Sequence, residues 1–163
     1  MEHEAPAIFV ALEQSGFAAA IRQSSWLYFA TNVGHIVALV IFASAVAMID
    51  VRLLGGLAAT SPGRVVTRAR AVAIAALGGM ALTGFMMFSA DASHLAVNPA
   101  LQVKFTLIAA GLANVAIYEF WGKRAVEGLG PNVSTPASAK AAGVLSLGIW
   151  LAVAACGRSI AYF

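Results

Sequence analysis

Four long apolar runs restrict the fold of this chain more than any other feature of its sequence. Each has about the 20 residues that a helix needs to cross the roughly 30 Å hydrocarbon core of a bilayer. The runs cover approximately residues 26–49, 71–89, 101–121 and 141–157. None contains proline, and none alternates apolar and polar residues as a barrel strand does. With 61% hydrophobic and only 10% charged residues, the sequence predicts an all-α fold, an integral membrane four-helix bundle that forms a single domain over residues 1–163.

The segment before the first run is amphipathic. Residues 6–23 mix apolar side chains such as Ile8 and Phe9 with the polar Glu13 and Arg22. The segment follows acidic residues and lacks a basic n-region, so it does not resemble a cleavable signal peptide. We expect a helix that lies in the membrane interface. The alternative is a soluble cap held by a partner.

The basic residues predict the orientation of the bundle. Of the ten, seven fall around the loops after the first and third runs: Arg52, Arg64, Arg68, Arg70, Lys123, Arg124 and Lys140. Cytoplasmic loops carry such an excess of lysine and arginine. Both termini are therefore predicted to face away from the cytoplasm. The formal net charge of +3 then reflects topology and gives no support to nucleic-acid binding.

One histidine, His35, interrupts the first apolar run in "TNVGHIVALV". A titratable residue inside a membrane span is a functional hypothesis by default, because leaving it unpaired is costly. Helical spacing gives it the most polar side of that helix, composed of Tyr28, Thr31, Asn32, His35, Ala38 and Phe42. We expect this side to face the bundle interior, where Thr31 offers the His35 ring a hydroxyl and a carbonyl.

The second and third runs supply residues that suit such a site. In "GGMALTGFMMF", Gly78, Gly79 and Gly84 remove side-chain bulk and Thr83 adds a hydroxyl. Such glycines permit close helix packing, or they leave room for a flat macrocycle. In the third run, Lys104 lies near the outer end, and the deeper Asn114 needs a hydrogen-bond partner across the bundle.

These residues suggest a b-type haem near the outer face. His35 and His94 are predicted at similar depth and are candidate axial ligands. Lys104 and Arg22 are candidates for the haem propionates, and Asn32, Gly79 and Thr83 for the walls of the site. The alternatives are a purely structural His35, hydrogen-bonded within the bundle, and a His94 that is a plain surface residue.

Three other features have simpler interpretations. Cys156 is the only cysteine and is expected to be a packing residue. Asp50 and Arg52 are predicted to anchor the first helix at the headgroups as a pair. Met-Glu-His at the start could bind Cu(II) through His3 and the terminal amine.

Several segments together resemble a known family: "SSWLYFATNVGHIVAL", "IDVRLLGG", "LTGFMMF" and "NPALQVKFTLIAAGLAN". They are similar to an uncharacterised family of small four-helix bacterial inner-membrane proteins. More distantly, the layout resembles the copper-resistance D family and the HemJ-type protoporphyrinogen oxidases. The latter resemblance implies that a first-helix histidine and a lysine opening a later helix, here His35 and Lys104, are associated with haem. The first resemblance also implies a bacterial inner-membrane location, in which the basic residues predict both termini on the periplasmic side.

The sequence thus predicts a haem b protein that transfers electrons or supports a membrane redox complex. Its expected partners are the lipid bilayer and either other membrane subunits or a periplasmic redox protein. A non-enzymatic accessory subunit and a copper-handling protein at the outer face remain as alternatives. Nothing in the sequence assigns a catalysed reaction.

Overall fold

The computed structural model describes residues 5–162, and four of its helices are long and apolar enough to cross a membrane. The helices, in chain order, are α1 Ala7–Glu13, α2 Gly16–Gln23, α3 Ser25–Leu53, α4 Pro62–Ala90, α5 Ala92–Val97, α6 Pro99–Ile117, α7 Lys123–Glu127 and α8 Ala137–Ser159. A π-helical turn, Tyr118–Gly122, joins α6 to α7, and a 3₁₀ turn, Ile160–Tyr162, follows α8. No strand occurs in the described part of the chain, so the all-α prediction is confirmed.

Two of the long helices begin at a proline. α4 starts at Pro62, well before residue 71, because proline at the first helical position needs no hydrogen-bond partner for its nitrogen. α6 likewise starts at Pro99, and the Asn98 side chain accepts hydrogen bonds from the amides of Ala100 and Leu101 at 3.0 and 3.2 Å. The apolar runs therefore mark the lipid-compatible part of these helices, and Pro62 and the Asn98–Pro99 pair mark where α4 and α6 begin.

The amino-terminal segment forms two helices. Ser15 separates them, and its hydroxyl accepts from the amide of Ala18 and so caps α2. α1 packs beside α5 and α4, and its Phe9 meets Phe88 of α4 edge to face at 5.7 Å. α2 is strongly amphipathic and buries Ala18 and Ile21 against α3 and α4. Its location in a membrane interface stays a prediction.

The four long helices pack in the spatial order α4, α3, α8, α6. Close packing joins α4 to α3, α3 to α8 and α8 to α6. The fourth side of the bundle, between α4 and α6, has almost no direct helix contact within the described residues. Short elements bridge this side at its two ends, with α5 at one end and α7 at the other. A cleft therefore opens sideways between α4 and α6.

Side-chain hydrogen bonds to backbone tie the two ends of the bundle. At the end that holds α5, Arg22 donates to the carbonyl of Ala90 at 3.0 Å, and Asn98 donates to that of Ile160 at 3.3 Å. At the opposite end, Thr135 donates to the carbonyl of Leu53 at 2.6 Å. These bonds satisfy helix-terminal carbonyls that water or lipid headgroups would otherwise have to reach.

Candidate functional site

His35 lies half-buried between α3 and α4 with its ring fixed by a hydrogen bond. Its Nδ1 is 2.8 Å from the hydroxyl oxygen of Thr83, and that hydroxyl is 2.7 Å from the carbonyl oxygen of Gly79. Two oxygens this close need a hydrogen between them, so the Thr83 hydroxyl donates to Gly79. A hydroxyl has only one hydrogen to donate. It must therefore accept from His35, whose Nδ1 carries the proton.

This assignment leaves the other ring nitrogen of His35 available. In a neutral imidazole only one nitrogen carries hydrogen, so Nε2 presents a lone pair. The bond to Thr83 is the one side-chain hydrogen bond of the His35 ring within residues 5–162, and the Met80 carbonyl also lies near the ring. A histidine held at one nitrogen with the other free has the arrangement that metal ligation requires. The same nitrogen can also accept a proton or a hydrogen bond from a ligand.

Glycine at position 84 allows α4 to approach the ring. A Cβ placed there would lie 3.3 Å from Cε1 of His35, closer than side chains normally pack. Gly79, one turn earlier, faces Ala38, to which a Cβ would stand at an ordinary 3.6 Å. Gly78 has nothing nearby. Two of the three predicted glycines therefore face α3, and the space beside Gly84 holds the histidine ring itself.

Lys104 joins the same region from α6. Its ammonium lies within electrostatic range of the His35 ring and beside Gly157 of α8, where a Cβ would be 3.3 Å from Nζ. The side chain is half-buried and forms no ion pair within the described residues. Side chains from three helices, His35 of α3, Thr83 of α4 and Lys104 of α6, therefore lie in the same region of the bundle.

The remaining predicted site residues lie elsewhere. His94 is on the surface in α5, 63% exposed, with Nδ1 3.4 Å from the carboxylate of Asp91. Asn32 lines a shallow groove beside Arg22. Thr31 donates to the carbonyl of Leu27 on its own helix at 2.8 Å. Thr83, and not the predicted Thr31, is therefore the hydrogen-bond partner of the His35 ring.

No group of three or more histidine, cysteine, aspartate or glutamate side chains that could hold a metal ion occurs in the part of the chain that the structure describes. Cys156 is a free, partly buried thiol. The predicted copper site at His3 lies outside the described residues, so it stays a prediction.

A second region, the cleft between α4 and α6, was not predicted from the sequence. It has a volume of about 550 Å³ and lies in the half of the bundle away from His35. Its walls are mainly apolar, with Phe42 and Trp150 packed edge to face at a centroid distance of 4.6 Å. The polar side chains that line it are Asp50, Arg70, Asn114, Tyr118, Glu119 and Ser146.

Asp50 and Arg52 do not form the predicted headgroup pair. Residues two apart on a helix point to different sides. Arg52, 1% exposed, donates through Nε and Nη2 to the carbonyl of Thr60 at 3.1 and 2.8 Å. Asp50, 2% exposed, lines the cleft. Its Oδ2 atom is buried and has no hydrogen-bond partner among the described residues.

A charged network borders the cleft at the end that holds α7. Arg70 of α4 meets Glu119 at 2.5 Å across the open side, and Lys123 also contacts Glu119 at 2.6 Å. Glu119 belongs to the π-helical turn, which also directs Tyr118 into the cleft. Turns of this type are rare and occur frequently at functional sites.

Asn114 makes the predicted bond across the bundle. Its amide nitrogen donates to the carbonyl of Ala142 on α8 at 3.0 Å, which confirms that expectation. Gly111, one turn earlier, lies against Trp150, which a Cβ would approach to 2.9 Å. α6 and α8 are therefore held in a fixed register along one wall of the cleft.

Fold and geometry together define an all-α, multi-pass membrane protein that holds polar side chains at two places inside its bundle, around His35 and in the cleft between α4 and α6. The chain belongs to a family of unknown function, DUF6644, whose sequence profile matches residues 12–163. A search of curated proteins found no match, and neither did a search of solved structures.

Proposed function

We propose that this protein binds one b-type haem through His35 and takes part in electron transfer or supports a membrane redox complex. The observation that carries the proposal is the fixed ring of His35. Its Nδ1–H is held by Thr83, while Nε2 keeps a free lone pair inside an apolar protein. A hydrogen bond at the imidazole nitrogen that does not bind the metal orients the ring and increases the basicity of the ligating nitrogen.

Lys104 supports the same assignment. Haem carries two propionates, and a cation at the site offsets their charge. The Lys104 ammonium is near the His35 ring and has no carboxylate partner within the described residues. When bound, haem supplies a one-electron iron couple. His35 and Lys104 hold it, and the Thr83 hydroxyl keeps the imidazole in the ligating tautomer.

The proposal uses His35 alone as the protein ligand. His94 is exposed and contacts Asp91, so it enters only as a variant in the test. The distant resemblance to the HemJ-type protoporphyrinogen oxidases favours haem, since His35 and Lys104 are the residues that would match by position. We assign no catalysed reaction.

We place the protein in the bacterial inner membrane with both termini on the periplasmic side. The basic residues around the α3–α4 and α7–α8 connections support this orientation. His35 then lies in the periplasmic half, within reach of a periplasmic redox protein or a partner membrane subunit. A periplasm-active reporter fused after Phe163 should give signal. Activity only from a cytoplasm-dependent reporter would reverse the orientation.

An absorption spectrum of protein purified from haem-replete cells tests the haem. We expect a Soret band, with α and β bands on reduction and about one haem per chain by pyridine haemochrome. His35→Gly should lose the Soret band and regain it when imidazole is added, because the free base can enter the vacated position. His94→Ala, the matched control, should keep its haem.

The outcomes separate the alternatives. Wild-type protein without Soret absorbance refutes the proposal, and His35 is then a packing residue in an accessory subunit. Equal loss of haem in both histidine variants would mean that His94 is also a ligand. Metal analysis of the same preparation tests the copper alternative.

A further inference from the structure

The cleft between α4 and α6 has the properties of a small-molecule site. Ligand sites in proteins are typically about 300–1,000 Å³, mostly apolar, with a few placed polar groups. This cleft is about 550 Å³, and apolar side chains form most of its walls. Its open side faces the lipid if α4 and α6 span the membrane. A ligand would therefore enter from the hydrocarbon layer.

Asp50 indicates what the ligand must offer. A buried polar atom without a partner is costly, and native proteins rarely retain one without a reason. Asp50 is 2% exposed, and its Oδ2 has no donor within the described residues. The hydroxyl of Ser146 approaches the same carboxyl group. A carboxylate oxygen accepts hydrogen bonds, so the missing group is a donor.

The charges of the cleft exclude an anionic ligand. Three charged residues line it, and two of them, Arg70 and Glu119, pair with each other at 2.5 Å. Glu119 is further neutralised by Lys123 at 2.6 Å. No cation among the lining residues is left for a phosphate, and the Asp50 carboxyl would repel one. An anionic headgroup therefore does not match the cleft, and a ligand that enters from the hydrocarbon layer is best accommodated with a neutral headgroup.

Aromatic side chains indicate the shape of the headgroup. Phe42, Trp150, Tyr118 and Phe120 line the cleft. Aromatic rings pack favourably against one another in edge-to-face and offset arrangements. A flat ring carrying a hydroxyl would meet both the aromatic walls and the Asp50 carboxyl, while an apolar tail would extend through the open side between α4 and α6.

We propose that this cleft binds a neutral, lipid-soluble molecule with a hydroxylated aromatic ring, the chemical class of the hydroquinones, whose hydroxyl donates to Asp50. The π-helical turn contributes Tyr118 to the wall and Glu119 to the ion pair that borders the site. The binding does not require haem, so the proposal stands apart from the function assigned to His35.

The test uses tritiated decyl-hydroquinone, kept reduced, with the full chain in nanodiscs. We expect saturable binding of one molecule per chain. The dimethyl ether of the same probe has no hydroxyl hydrogen to donate. It should bind at least about tenfold more weakly, as expected for a lost hydrogen bond to a charged acceptor. This comparison needs no variant, so misfolding cannot obscure it.

Variants locate the bound probe. Asp50→Leu removes the acceptor and should weaken hydroquinone binding about tenfold, to the level of the ether. Asp50→Asn keeps a carbonyl acceptor and should lose less. Ala116→Phe should block binding by filling the cleft. Ala113→Phe, on an exposed side of the same helix outside the cleft lining, is the matched control and should bind normally.

Several results would overturn the proposal. Equal affinity for the hydroquinone and its ether would show that no donated hydrogen bond is used. Absent saturable binding would show that the cleft is closed, by a partner helix or a second copy of the chain. Stoichiometric displacement by phosphatidylglycerol would make it a phospholipid site. His35→Gly should still bind the probe, so loss of haem and loss of this ligand are distinguishable.

Discussion

Replacing Asp50 by leucine should stabilise the protein, although the change lies in a buried part of the bundle. Leaving a buried polar group unsatisfied costs about 1–3 kcal/mol. Asp50 is in that condition, because Oδ2 has no partner among the described residues. Leucine removes the buried charge and adds apolar surface beside Val46 and Leu53, which line the same cleft. The ligand-free protein should therefore gain about 1–3 kcal/mol of unfolding free energy.

Thermal unfolding in detergent measures this gain. For a chain of this length, 1 kcal/mol corresponds to about 2–4 °C in Tm. Asp50→Leu should then unfold about 2–12 °C higher. Asp50→Asn should change Tm less, because an amide is still a buried polar group. Ser44→Leu, on an exposed part of the same helix, controls for the added leucine and should leave Tm nearly unchanged.

The opposite result would refute this reasoning about Asp50. A drop in Tm larger than that of Ser44→Leu would show that the carboxyl has a stabilising partner in the folded protein. The stabilised variant should also be the one that loses hydroquinone binding. Stability and binding would then change in opposite directions, as expected where a site retains an unsatisfied group for its ligand.

The long helices could be predicted from the sequence because the length of an apolar run is a local property. The hydrogen bond of Asn114 across the bundle could also be predicted from helical periodicity, since a polar group deep in a span must bond to a neighbouring helix. The ends of the helices were harder to predict from the sequence. α4 extends back to Pro62 through a segment with three arginines, because the proline at its first position and its backbone bonds, and not its polarity, set the start.

The hydrogen-bond partner of His35 depended on the register between two helices. Thr31 and Thr83 are equally plausible acceptors in sequence. The close approach of Gly84 to the ring brings Thr83 within reach, while Thr31 bonds to Leu27 on its own helix. No spacing within one helix contains that information.

The cleft could not be predicted because it depends on which pair of helices fails to pack. Asp50 near the end of a span suggests a headgroup contact. A signal was nevertheless present, since the 15 positions between His35 and Asp50 rotate the helix by a net angle of only about 60°. Asp50 therefore lies near the inward-facing side. That the Asp50 carboxyl lacks a partner depends on how α8 packs against α3. The two helices meet closely at Gly143, where a Cβ would lie 3.4 Å from the Asp50 carbonyl oxygen.

Substitutions at three further positions probe other contacts of the bundle. Thr83→Val removes the acceptor of the His35 Nδ1–H and should lower the unfolding free energy by about 1–3 kcal/mol, measured as a decrease in Tm. Thr83→Ser keeps the acceptor and should lower it much less. Asn114→Leu should cost about 0.6 kcal/mol, the average for a side-chain hydrogen bond in a membrane protein. A much larger loss of Tm would show that Asn114 supports more than its bond to Ala142. Glu13 should make the contact between α1 and α5 sensitive to pH. Hydrogen bonds from the Ser93 side chain and amide hold the pKa of Glu13 below its ordinary value of 4.5. A lowered folded-state pKa means that the contact is fully stabilised above about pH 4.5 and is lost as the pH falls through the lower value. The hydrogen-exchange protection factor of the Ser93 amide should therefore decrease on acidification in the wild type. Glu13→Gln, which does not titrate, should show low protection at every pH. An unchanged protection factor in the acidified wild type would show that the Glu13 carboxylate does not hold α1 against α5.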